Sequence, residues 1–190
     1  MSDNGGDADP EVAVVLDYLA RGRPDDDRPP FEKSPVAHAL GTSEFRLLEL
    51  TVEEDANVTI GDRVQFDPPE DSISRVRPID YDELSSGARS ELEYVVEETI
   101  DENERRFVDF YNDAQPITTR LHVLNLLPGI GKKLRNNILD ERKRKPFESF
   151  EEIEDRVSGL HRPREILAER ILEEIREDDL KYRIFARREE

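Results

Sequence analysis

The residues best suited to chemistry in this 190-residue chain lie in one short run, Leu127-Pro128-Gly129-Ile130-Gly131-Lys132-Lys133. Gly129 and Gly131 permit backbone angles and a closeness of approach that a Cβ forbids. Gly131 is expected to open a helix, so its amide and those of Lys132 and Lys133 point outward without intrahelical partners. Together with the positive end of the helix dipole they form a site for an anion such as a backbone phosphate. Lys132 and Lys133 add charge at the rim, and Ile130 is placed to plug the hairpin from inside. Such contacts hold a phosphate without reading a base.

The distribution of charge supports an anionic partner. The chain carries 46 Asp and Glu against 28 Lys and Arg, a formal net charge of −18. Residues 1–115 hold 30 acidic and 11 basic side chains, whereas residues 116–190 hold 16 and 17. Between Thr118 and Pro146, Arg120, Lys132, Lys133, Arg135, Arg142, Lys143, Arg144 and Lys145 face only Asp140 and Glu141, a local charge of +6. Acidity can imitate a phosphate backbone, or it can keep a protein soluble in concentrated salt. The excess of Arg over Lys and the many Asp residues resemble proteins of extreme halophiles and favour the second explanation. A host-wide acidic bias erodes a basic cluster unless something negative binds it. Arg135 therefore joins the candidate site, and Arg142-Lys143-Arg144-Lys145 offers a second backbone contact or, alternatively, a charge match to a helix C-terminus.

The elements that position these residues are set by periodicity. Ile117, Leu121 and Leu124 predict a short helix before the hairpin; Ile130, Leu134 and Ile138 predict one after it. Leu121–Glu141 thus resembles a helix-hairpin-helix nucleic-acid-binding element. That resemblance implies a K+ or Na+ ion at the carbonyls of Leu127 and Gly129, bridging to the phosphate. A capping box at Ser149–Glu152, the stripe Phe150, Ile153 and Val157, and a helix from Pro163 carrying Leu167, Ile171 and Ile175 predict a second hairpin. In it, Val157-Ser158-Gly159-Leu160-His161 repeats the glycine and the apolar plug, but His161 replaces the second glycine. This copy reads as degenerate and structural, with Arg162 and Arg164 as the residues that could reach a phosphate.

Upstream, period-two alternation predicts strands at Val12–Tyr18, Val36–Leu40, Phe45–Val52, Val64–Phe66 and Ile73–Ile79. Five short strands in this length suit a small barrel of the oligonucleotide/oligosaccharide-binding (OB) kind. Arg63, Gln65, Arg75 and Arg77 alternate on them and read as a solvated sheet face, with a polar binding face as the alternative. A capping box at Ser90–Glu93 predicts a helix start, and Leu92 to Tyr111 read as one long helix or two abutting ones. Tyr182 and Ile184 suggest a closing strand. The expected fold is α+β: an acidic disordered tail over 1–10, an OB-like barrel over 11–84, connecting helices over 85–115, a tandem helix-hairpin-helix domain over 116–180, and a strand and tail over 181–190.

Several classes are disfavoured. The absence of Cys removes disulfides and thiolate chemistry. His38, His122 and His161 lack ligand spacing, so no metal site is expected. No phosphate-binding loop, dinucleotide fingerprint or nucleophile motif occurs. Glycosylases with this hairpin place a catalytic Asp soon after it, where this chain runs Glu141-Arg142-Lys143-Arg144-Lys145. No apolar run reaches the roughly 18 residues that span a membrane, and the acidic N-terminus does not read as a signal peptide. The expectation is a cytoplasmic, non-enzymatic protein that binds RNA or DNA, RNA ahead of DNA, in translation or ribosome maturation. The alternative is an assembly module docking a ribosomal or other protein through the hairpin.

At larger scale the chain resembles an archaeal family known as domain of unknown function 655. Lys33-Ser34-Pro35-Val36-Ala37, Glu91–Glu98 and Arg106-Phe107-Val108 carry the resemblance. So do Ala114–His122 running into the hairpin, Lys145–Glu151 and Arg183-Ile184-Phe185. It implies an OB-type barrel followed by paired hairpins and an RNA-binding role, and it assigns no activity.

Overall fold

Apolar alternation from Val12 to Tyr18 builds the strand β1 (Glu11–Leu19), the first of five in the computed structural model. The structure describes residues 8–188, so most of the acidic tail expected over 1–10 lies outside the described residues. Strands β2 (Val36–Gly41), β3 (Leu47–Val52), β4 (Arg63–Asp67) and β5 (Ile73–Pro78) come next. They form one antiparallel sheet in the order β4-β1-β2-β3-β5. It curls into a half-barrel, and the ladder leaves β4 and β5 at its two ends.

Ala13 and Val15 of β1, Ala37 and Ala39 of β2, and Leu48 and Leu50 of β3 form the core with Val64, Phe66 and Ile73. Alternation suggested one solvated face, but all six residues of β2 are buried. His38 and Glu49 are register partners on the face away from that core. The Ser85 N–H donates to His38 Nδ1 (3.1 Å), leaving Nε2 as the protonated nitrogen, 3.4 Å from Glu49 Oε2. Both side chains are therefore structural parts of a buried polar network.

Helices α1 (Ser86–Glu102), α2 (Glu104–Asp113), α3 (Lys132–Arg144), α4 (Phe150–Arg156) and α5 (Pro163–Arg176) complete the α+β fold. The predicted start at Ser90 is one turn late. Ser85 Oγ accepts the Ala88 N–H, while Ser90 lies inside α1 and donates its hydroxyl to the Ser86 carbonyl. A break at Asn103 separates α1 from α2, which makes two abutting helices of the polar stretch. The expected closing strand at Tyr182–Ile184 is irregular chain. Glu174, buried on α5, accepts the N–H groups of Ile184, Phe185 and Ala186 on Oε1 (2.7, 2.8 and 3.1 Å). Its Oε2 accepts from Arg170 Nε, and Arg170 Nη2 donates to the Tyr182 carbonyl. A carboxylate and a guanidinium thus satisfy backbone groups that a neighbouring strand otherwise would.

Two compact units divide the chain, one reaching to Val95 and taking in Arg187 and Arg188, the other running from Val96 to Ala186. No described helix is long and apolar enough to cross a membrane.

Candidate nucleic-acid interface

The chain between α2 and α3 is shaped by one apolar plug and two glycines. The helix expected before the hairpin is absent; a four-residue 3-10 turn, Val123–Leu126, stands in its place. The Leu121 carbonyl accepts the N–H groups of Ile117 and Thr118, a folded-back segment that leaves no room for helical ladders. His122 caps the 3-10 turn by accepting the Leu124 N–H at Nδ1 (3.0 Å). Leu127 and Ile130 are buried, and the Ile130 N–H donates to the Leu127 carbonyl (3.2 Å), closing the turn. Gly129 sits there at φ +78, where other residues are strained.

Gly131 differs. It is the N-cap of α3, so the helix begins at Lys132, one residue later than expected. Its φ of −90 suits any residue, and a Cβ built on it meets nothing within 4 Å. No side chain caps the helix, although α4 is capped by Ser149, whose Oγ accepts the Glu152 N–H. Ser, Asp, Asn and Thr cap as well as or better than Gly, and the chain is rich in Asp. The fold therefore supplies no reason for glycine here. A cap side chain would occupy the first-turn amides that Gly131 leaves open.

The ten predicted site residues fall into three groups. Gly129, Ile130 and Gly131 form the hairpin itself. Lys132 and Lys133 at its rim, and Lys143 at the far end of α3, are exposed and have no partner among the described residues, while Lys145, also exposed, has Glu152 as an electrostatic neighbour. Eleven residues of helix separate Lys132 from Lys143, which puts them on nearly one face, about 16 Å apart. Arg144 is exposed beside Glu141 (3.3 Å).

The other two arginines are committed internally. Arg142 Nη1 donates to the carbonyls of Tyr111 (3.1 Å) and Ala114 (2.9 Å), closing the end of α2. Burial pulls its pKa down, partly offset by Asp113. Arg135 Nη1 donates to Asn125 Oδ1, and Asn125 Nδ2 to the Ile130 carbonyl, a brace across the hairpin. Arg142 thus corrects the expectation of a four-residue basic contact, because its guanidinium is the nearest donor for two orphaned carbonyls. Of the carbonyls proposed to hold a monovalent cation, that of Leu127 already accepts from Ile130; that of Gly129 accepts no hydrogen bond among the described residues.

The second hairpin repeats the first turn. Val157 and Leu160 are buried, the Leu160 N–H donates to the Val157 carbonyl (3.2 Å), and Gly159 has φ +86. Its ending is closed. Arg162 is left-handed at the N-cap of α5, and Pro163 removes an amide from the first turn. Tyr111 Oη donates to the Pro163 carbonyl (2.7 Å); burial pushes that phenol's pKa far up. Arg164 is held by Asp101. Asn137 Nδ2 reaches from α3 to the Ser158 carbonyl (3.1 Å), and Leu134 packs against Gly159.

Arg63 and Gln65 lie on β4 and Arg75 and Arg77 on β5, so the predicted face divides between the two ends of the ladder. Arg75 and Arg77 instead line a cavity of about 640 Å³ with Arg23 and Arg28 from the β1–β2 connection. Those two had no periodicity to mark them; the flanking prolines were the one available signal.

Comparisons place this arrangement among known chains. The family model described as "Protein of unknown function (DUF655)" matches residues 9–187. The uncharacterized protein MJ0038 of Methanocaldococcus jannaschii is 42% identical over 178 residues, covering 92% of this chain and 79% of that protein. The crystal structure of Af1531 from Archaeoglobus fulgidus superposes with a TM-score of 0.83 at 41% identity, covering 93% of this chain and 99% of that one.

Proposed function

Since the chain belongs to the DUF655 family, which brings no assigned activity, we propose from its own residues that it is a non-enzymatic protein gripping a nucleic-acid backbone, RNA ahead of DNA, through the hairpin Leu127–Lys133. The observation that carries this reading is Gly131: an uncapped helix start whose glycine the fold does not require, leading into two exposed, unpartnered lysines. A phosphate oxygen approaching the amides of Lys132, Lys133 and Leu134 needs the space that a capping side chain would fill. Lys143 on nearly the same helix face, with Lys145 just past the end of α3, then meets a second stretch of backbone. The free Gly129 carbonyl is the part of the hairpin suited to a K+ or Na+ bridge.

The repeated turn at Gly129 and Gly159 supports a tandem helix-hairpin-helix in which only the first copy binds. The 3-10 turn before the first hairpin departs from the motif. The strand order β1-β2-β3-β5, with β4 beyond β1, supports a partly open OB-type barrel. An acidic protein in a salty cytoplasm gains from this device, since diffuse Lys–phosphate attraction falls steeply with salt, while a fixed helix terminus keeps its geometry.

The test is salt-dependent binding of the full chain to single- and double-stranded RNA and DNA. Gly131→Ser is the sharpest variant, because Ser is the better cap. Unchanged or raised thermal stability with weakened binding supports the reading. Equal binding by wild type and by Gly131→Ser and Lys132→Glu/Lys133→Glu refutes it, as does no binding in either dilute or molar salt. Capture of a protein partner through the same residues without nucleic acid would favour the assembly role instead.

A further inference from the structure

The cavity on β2, β3 and β5 carries a second and independent chemistry. Its lining combines Arg23, Arg28, Arg75 and Arg77, four of the 11 basic residues in the first 115, with the carboxylates of Asp25, Asp26 and Glu49. Its volume of about 640 Å³ falls within the usual 300–1,000 Å³ range for small-molecule sites. Three of the four arginines are held in place by carboxylates. Asp25 receives Nε and Nη2 of Arg23 (3.1 and 2.8 Å), and Asp26 receives Nε and Nη2 of Arg28 (3.0 and 2.7 Å). In both, Nη1 donates to nothing among the described residues.

Arg77 is ion-paired on both sides, its buried Nη2 3.2 Å from Glu49 Oε1 and its Nη1 3.2 Å from Glu83 Oε1. Burial pushes the Glu49 carboxyl up, but His38, Arg77 and Arg23 outweigh it and hold its pKa low, so it stays charged and orients the two arginines. Arg75 is exposed, with no partner among the described residues. The carboxylates are spent on positioning, and what remains is Arg75 with the Nη1 edges of Arg23 and Arg28. Rigid guanidinium forks match the oxygens of a phosphate better than any other side chain.

The β1–β2 connection, which gives Arg23, Arg28 and Ser34 to the lining, also carries an aromatic ring that is itself outside the lining. Phe31 lies midway between Arg28 and Ser34, which both line the cavity, on the 3-10 turn Pro30–Glu32. It is 85% exposed, the most exposed of the large apolar residues described. Pro29 and Pro30 stiffen the turn that presents it. An exposed ring on a stiff loop is costly for solubility and suits base stacking, worth about 1–3 kcal/mol per base.

We propose that this cavity binds one nucleoside phosphate unit, its phosphate on Arg75 and the free edges of Arg23 and Arg28, its base against Phe31. The unit is either a free nucleotide or one residue of a single strand. None of its residues belongs to the hairpin.

The chain contains no Trp, so Phe31→Trp supplies a single fluorophore, best introduced beside Lys132→Glu/Lys133→Glu to silence the hairpin. This full-length protein is titrated with adenosine 5′-monophosphate, inorganic phosphate and a short 5′-phosphorylated single-stranded RNA. Saturable quenching by nucleotide or RNA, with inorganic phosphate competing but not quenching, is the expected result. Tighter binding of the nucleotide identifies a free metabolite, and tighter binding of the RNA a strand; either upholds the site. Arg75→Ala, which breaks no internal bond, should raise Kd about tenfold, as loss of a charge-assisted contact does. No saturable quenching with either ligand, or a Kd that Arg75→Ala leaves unchanged, overturns the proposal.

Discussion

Gly129 and Gly159 occupy the same turn of two hairpins, and both adopt φ near +80 beside a buried apolar plug. The residues immediately after each glycine separate their roles. After Gly129 come Ile130, an unneeded glycine and two free lysines at an open helix start. After Gly159 come Leu160, His161, a left-handed Arg162 and a proline that removes an amide. Around the second hairpin the donors and acceptors are taken up by Tyr111, Asn137 and Asp101. One hairpin therefore fastens the unit together, while the other leaves donors to spare. Three residues after the plug thus decide whether a duplicated turn ends in a closed helix start or an open one.

The largest effect should come from breaking the fastening side. Glu174→Ala strands a buried guanidinium and three backbone amides, at about 3–5 kcal/mol. A thermal melt should show a midpoint lower by about 10 °C or more. Lys132→Glu/Lys133→Glu acts on the binding side alone. Affinity for nucleic acid should fall about 10- to 100-fold, and the slope of log affinity against log salt should lose about two units, with the melt unchanged.

Next come changes that set one hairpin against the other. Gly159→Ala places a Cβ 3.2 Å from Leu134 Cδ2 in a left-handed conformation, costing about 1–2 kcal/mol. Gly131→Ser should cost nothing. If urea midpoints for the two coincide, the division between the hairpins is wrong. The basic run divides in the same way. Arg142→Ala should destabilise by about 1–3 kcal/mol by stranding two carbonyls, whereas Lys143→Ala should stay within about 0.5 kcal/mol.

The smallest effect is pH dependence. His122 Nδ1 accepts an N–H, and burial, with Arg142 and Arg135, holds its pKa below the ordinary value. As pH falls below about 6.5 the unfolded chain takes up the proton first, so stability declines toward the lower native pKa. His122→Asn keeps a capping oxygen and should flatten the urea midpoint between about pH 5 and pH 7.

Local pattern made much of this legible. Alternation located β1 to β5, and the apolar stripes located α3 to α5, because both periods repeat within a few residues. The 3-10 turn in place of a first helix was not legible, since Ile117, Leu121 and Leu124 fit a helical stripe until Leu121 turns back on Ile117 and Thr118. Nor could pattern tell Arg142 from its neighbour Lys143: the Tyr111 carbonyl that claims Arg142 lies 31 residues away. Arg170 and Glu174 carry no mark in the sequence for the same reason, their partners being the backbone of a tail that carries no strand.

The amino-acid sequence alone determined that a glycine hairpin with a positive surround exists in an otherwise acidic chain, because glycine content, helix period and charge are properties of neighbouring residues. Only the tertiary structure decided which of those charges remain free. Contacts spanning tens of residues consume Arg142 and Arg164, a nearer one holds Arg135, and Lys132, Lys133 and Lys143 are left free. The same packing gathers Arg23, Arg28, Arg75 and Arg77 around one cavity. Hydrogen-bond demand within a buried fold is settled by what lies nearest in space, and sequence order does not encode that distance.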